Sequence, residues 1–162
     1  MDFHDQSDIE QSINRIDELL SCGIFHPQNS SNVLFRAAFI ELLIALRDLM
    51  YKSEKYAERI SFSDDIVTTE KIKDITGVIK HVRDAICHPD SQNHYIENGM
   101  KASFNVQFGK GILCKINDYE QANPYEDDIC FFFGLQHIFM RRHIVRAFEE
   151  AKSKLLPIIE KS

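Results

Sequence analysis

Arg83, Asp84 and His88, followed at once by Pro89, are the groups in this chain whose types and spacing best suit chemistry on a phosphodiester. A guanidinium is always charged and can hold a phosphate through two parallel hydrogen bonds. An imidazole can take or give a proton near neutrality, and Asp84 is available to orient a neighbour. Inside an uninterrupted helix the five-residue step from Arg83 to His88 turns roughly 140° about the axis, so the two side chains would point apart. Proline changes this, because its ring disfavours the α region for the residue before it. The helix is therefore predicted to end near Cys87, and His88 leaves the regular screw at the carbonyl end, where the helix dipole favours a protonated imidazole. Arg83 and His88 can then approach one another.

Several elements must position these groups. Ser7 and Glu10 have capping-box spacing, and Ile9, Ile13, Ile16, Leu19 and Leu20 recur at helical intervals up to Gly23. After a polar connection containing Pro27, the segment NVLFRAAFIELLIALRDLMYKSEKYAERI is rich in helix formers and apolar around most of its circumference, which predicts a central, largely buried helix. Thr69 precedes an apolar stripe of Ile72, Ile75, Val78, Ile79, Val82, Ala85 and Ile86, the predicted motif helix. Beyond Pro89 the period changes to two. Phe104, Val106 and Phe108, then a Gly109-Lys110-Gly111 turn, then Ile112, Cys114 and Ile116 predict a β-hairpin. The run Ile129 to Phe133 can add a third strand covered on both faces, and a long last helix is expected from Leu135 onward, disturbed late by Pro157.

Arg83-Asp84-Ala85-Ile86-Cys87-His88 resembles the short form of the motif of the HEPN superfamily, whose helical domains carry Arg, often a polar residue, and then His four to six positions on. The resemblance implies a mainly α (α+β) fold: a HEPN-like helical bundle, here with a small antiparallel β-hairpin or three-stranded insert at about 102–133, before the last long helix. It further implies a homodimer that brings two motifs together, and a metal-independent endoribonuclease acting on RNA as a toxin or defence effector. Arg83 and His88 would be catalytic with Asp84 in support, no cofactor or metal would be needed, and a protein or RNA inhibitor would be a fitting partner. Members paired with a nucleotidyltransferase antitoxin often place a tyrosine two residues after the histidine. That position is Asp90, so control by nucleotide transfer onto such a tyrosine is not expected.

Composition bounds these readings. The 162 residues suffice for a single domain, no internal repeat or Gly/Ser linker divides them, and 44% apolar with 27% charged residues is a globular balance. A formal charge of −6 excludes coating of nucleic acid by bulk electrostatics, so any RNA contact must be focal. The four cysteines form no CxxC pair, which with the acidic N-terminus suggests reduced thiols in the cytoplasm. The greasy run Val33 to Leu46 is too short and too charged to span a bilayer.

His81, Cys87, His88 and His94 have no compact zinc spacing. Arg141, Arg142, His143 and Arg146 read as a solvated helix face rather than an RNA contact, and Lys110 at the hairpin tip is open to either reading. The alternative to an enzyme is a non-catalytic helical module that binds a partner protein. A small-molecule enzyme ranks last, because no phosphate loop or paired nucleophile accompanies the histidine.

Overall fold

In the computed structural model, residues 1–96 and 99–160 are described. The chain forms two compact units, one of residues 1–62 and 147–162 and one of residues 63–146.

The first unit holds helices α1 (Phe3–Ser21), α2 (Val33–Tyr56) and α4 (Arg146–Ile159, from Ala147 onward). Asp2 caps α1 by accepting from the Asp5 amide, and Asn32 caps α2 by accepting from Leu34, so one orphan donor of each first turn is satisfied. Ile9, Ile13 and Ile16 of α1 are buried, as are Phe35, Phe39, Leu42, Leu43, Leu46 and Leu49 of α2. That burial follows the predicted stripes. Lys52 is buried among them and stays charged because Asp5 and Asp8 accept its hydrogen bonds. Lys152 pairs with Asp17 at 2.7 Å and Lys154 with Glu58 at 2.9 Å, tying α4 to α1 and to the chain beyond α2.

The second unit contains α3 (Ile75–Cys87) and five strands: β1 (Ser103–Phe108), β2 (Gly111–Ile116), β3 (Tyr119–Asn123), β4 (Ile129–Phe133) and β5 (Gln136–Phe139). All pairings are antiparallel, in a three-stranded sheet ordered β1-β4-β5 and a separate β2-β3 hairpin. The central strand, β4, buries Cys130, Phe131, Phe132 and Phe133 on alternating faces, as its unbroken apolarity predicts. Phe104 stacks on Phe131, and Tyr125 packs with Cys130, Phe132 and Phe139 on the other side.

These findings overturn the expected HEPN-like bundle with a small β insert. The motif helix α3 packs against β5 and β1, in the unit that holds both sheets, and the other three helices build the other unit. The buried stripe of α3 runs as predicted through Ile75, Val78, Ile79, Val82, Ala85 and Ile86. Its periodicity required an apolar partner but did not specify whether that partner was a helix or a sheet.

The predicted pairing of β1 with β2 is also corrected. Both segments are strands, but β1 pairs with β4 and β2 with β3 through a two-residue Asn117-Asp118 turn, with Asn117 at φ 53°. A fully apolar central strand needs a partner on each edge, and β1 supplies one of them. The two sheets are instead joined by side chains: Asn105 of β1 donates to Gln121 of β3 at 2.8 Å, and Gln121 is fully buried.

Residues expected to start the last helix form β5, followed by a π-helical turn (Met140–Val145). Asp128, fully buried, caps that turn by accepting from the amides of Arg141 and Arg142 at 2.8 and 3.1 Å. His143 is buried as well. The Phe139 amide donates to its Nδ1 at 3.1 Å, so the ring's proton sits on Nε2 and is donated to the Asp64 carbonyl at 2.9 Å.

Burial pushes the His143 imidazole below its ordinary range, and it does the same to His137, whose Nε2 lies 3.1 Å from the Asp65 carbonyl. The native state therefore binds fewer protons than the unfolded chain, whose histidines titrate near 6.5. Stability is full above about pH 6.5 and falls as the pH drops below it. The urea midpoint is expected to be lower at pH 5.5 than at 7.5. Equal midpoints would mean that both rings accept a proton in place without loss.

Among the described residues, no helix is long and apolar enough to cross a membrane.

Candidate functional site

α3 begins at Asp74, whose side chain accepts from the Gly77 amide at 2.8 Å, and not at Thr69. Thr69 instead accepts from the amides of Lys71 and Ile72 in a local turn. The other end is where the sequence placed it. The last helical residue is Cys87, and His88 takes an extended conformation at φ −124° and ψ 96°, as a residue before proline prefers.

Arg83 and Asp84 are brought together: Arg83 Nη1 donates to Asp84 Oδ1 at 2.9 Å, and both side chains are about one-third exposed. Arg83 Nε is buried and makes no hydrogen bond. The side chain is about one-third exposed, so what it can offer an anion is its terminal nitrogens and not the buried Nε. His88 is exposed at the carbonyl end of the same helix, and among the described residues no hydrogen bond joins it to Arg83.

The turn that carries His88 is fastened on every side. The His88 carbonyl accepts from the Ser91 amide at 2.9 Å and from His94 Nε2 at 3.1 Å, and the Pro89 carbonyl accepts from Lys101 Nζ at 2.7 Å. Because a carbonyl can only accept, His94 must carry its proton on Nε2. His94 is 2% exposed, and its own carbonyl accepts from the Ala102 amide, which links the turn to the residues leading into β1.

Sequence reasoning weighed His94 only as a metal ligand and missed this bracing role, as it missed Lys101. A histidine six residues beyond another, with a serine between them able to start a short turn, was the available signal. Among the described residues no group of three or more His, Cys, Asp or Glu side chains is arranged to hold a metal ion.

The basic cluster near the end of the chain does not form one solvated face. Arg142 lies 3.5 Å over the Tyr125 ring and pairs with Asp127 and Asp128 at 3.1 and 3.0 Å, and Arg146 pairs with Asp64 at 2.9 Å. His143 belongs to the core. Arg141 alone of the four stays exposed without a side-chain ion pair among the described residues.

The chain is thus an α+β protein of two compact units, with an Arg-Asp pair and an exposed histidine at the end of one helix. No family model, curated protein or solved structure matches it.

Proposed function

We propose that the chain is a metal-independent endoribonuclease that cleaves RNA by attack of the 2′-hydroxyl on the adjacent phosphate. The observation that carries this reading is the end of α3. Pro89 halts the helix at Cys87 and presents an exposed His88 beyond a guanidinium anchored by Asp84. The likeness to HEPN enzymes rests on this six-residue segment and not on their bundle.

In the proposed reaction a base withdraws the 2′-hydroxyl proton, an O2′–P bond forms, and the P–O5′ bond breaks as the leaving oxygen takes up a proton. His88 serves as base or acid, and Arg83 stabilises charge on the phosphoryl oxygens. A cytoplasmic homodimer would supply a second imidazole, so that one withdraws and the other donates. The products are a 2′,3′-cyclic phosphate and a 5′-hydroxyl.

RNA is expected to be cut in the presence of EDTA, while DNA and a 2′-O-methyl strand of the same sequence survive, as followed by gel and mass spectrometry. Cutting of the 2′-O-methyl strand at the rate of RNA would sink the mechanism.

A second reading, a module that binds a partner protein, draws on Val33 and Leu34, which are 84% and 60% exposed in the first turn of α2. Growth arrest on induction that depends on His88 favours the nuclease. Harmless expression with one stoichiometric partner favours the module.

A further inference from the structure

The unit of residues 63–146 contains a cleft of about 200 Å³ whose lining includes Lys71, His81, Gln92, Tyr95 and Gln136. It uses none of Arg83, Asp84 or His88. Four of these side chains come from separate places in the chain: Lys71 from the turn before α3, His81 from α3 itself, Gln92 from the short turn after it, and Tyr95 from a bridge to Lys101.

Among the described residues, the Lys71 ammonium, the His81 ring, the Gln92 amide and the Tyr95 hydroxyl make no hydrogen bond to protein. Lys71 carries a full charge, Gln92 and Tyr95 donate, and His81, which burial holds below its ordinary range, is a neutral ring with one N–H. A cation and neutral donors among the residues that line one small cleft suit an anion. Asp84, the carboxylate that acts on His81 through space, is already compensated by Arg83 at 2.9 Å.

Gln136, 3% exposed in the cleft wall, adds an acceptor. Its Nε2 donates to the Val67 carbonyl at 3.1 Å, which fixes the amide orientation because the flipped form would set oxygen against oxygen. Its Oε1 is buried without a hydrogen-bond partner, so it gains one only from a group that seats against it. The cleft also exceeds what a bare phosphate needs, since one water occupies about 30 Å³ of liquid.

We propose that this cleft binds a phosphoryl group carried on a small hydroxylated skeleton, either a free sugar phosphate or a nucleotide unit within an RNA strand. The phosphoryl oxygens meet Lys71, Tyr95 and Gln92, and a hydroxyl of the skeleton meets Gln136. The site stands independently of the cleavage chemistry, and the test is chosen to keep the two separate.

The isotope-labelled full-length chain is titrated with ribose 5-phosphate, with ribose, and with a 2′-O-methyl oligoribonucleotide that the proposed reaction cannot cut. NMR shifts are followed at the His81 ring and the Gln92 side-chain amide. The two phosphate-bearing ligands are expected to move these signals and ribose is not. Preference for ribose 5-phosphate identifies a free ester as the ligand, and preference for the oligonucleotide identifies RNA.

Lys71→Ala is expected to weaken binding at least about ten-fold, and Tyr95→Phe about three- to ten-fold, from the loss of one charge-assisted and one neutral hydrogen bond. Lys71 is exposed and Tyr95 only half-buried, so both variants should fold. The proposal is overturned if neither phosphate ligand moves the signals, if ribose does so equally well, or if both variants bind as tightly as the wild type. Absence of RNA cleavage would not affect it.

Discussion

His88→Ala is expected to lower the rate of RNA cleavage about 10²–10⁴-fold, the range for removing a positioned proton-transfer group. The imidazole is exposed, and the bonds that fix its turn go to the backbone carbonyl, which alanine keeps. Folding stability should therefore stay within about 0.5 kcal/mol of the wild type, separating lost chemistry from lost structure.

Arg83→Ala should cost about 10²–10³-fold, the range for removing one donor to a developing oxyanion. Arg83→Lys keeps the charge but not the planar fork, so it should recover only part of that loss. Rates on a fluorescent oligoribonucleotide in EDTA, with urea denaturation alongside, measure all three. If the wild type and His88→Ala nick RNA equally, the activity belongs to a contaminant and the assignment fails.

The second large effect concerns stability. Gly134→Ala is expected to destabilise the protein by about 2–5 kcal/mol, from about 1–2 for the left-handed conformation and about 1–3 for overpacking. Gly134 closes the β4-β5 turn at φ 55°, with Phe133 facing Gln136 across it. A Cβ there would lie 2.6 Å from the Asn93 carbonyl oxygen and 2.8 Å from that of Tyr95. Those are backbone atoms with no side-chain freedom to withdraw. The Gly134 amide donates to the Ala102 carbonyl and its own carbonyl accepts from the Tyr119 hydroxyl at 2.6 Å, so the turn is also held in place. The urea midpoint should fall clearly. A variant as stable as the wild type would mean that the loop of Asn93 and Tyr95 moves aside without cost.

Local rules carried the helix stripes and the end of α3 well, because a stripe and a proline act on their immediate neighbours. They did less well wherever two local solutions competed. Ser7 and Asp2 are both able to cap a helix, and α1 begins at the earlier one because nothing between them breaks it. Thr69 and Asp74 offer the same choice for α3, and Asp74 prevails while Thr69 closes a turn.

The segment Gln136–Phe139 is short enough to fit either period. Gly134 and its backbone neighbours settle it as a strand. Strand partners were beyond local reach altogether, since the choice between β2 and β4 for β1 depends on covering a core strand more than twenty residues away. At the candidate site, the end of α3 at Cys87 and the extended backbone of His88 were legible, while the expected approach of His88 to Arg83 is met by no hydrogen bond among the described residues. The braces from His94 and Lys101 were not, because they arise only once the intervening residues have folded back.

Those braces bear on how the site tolerates mutation. The end of α3 is specified twice, by the ring of Pro89 and by the bonds that already occupy the His88 and Pro89 carbonyls. Extending the helix would forfeit three hydrogen bonds to gain the regular ladder. The geometry that exposes His88 is therefore redundant, and loss of the proline by mutation need not erase it.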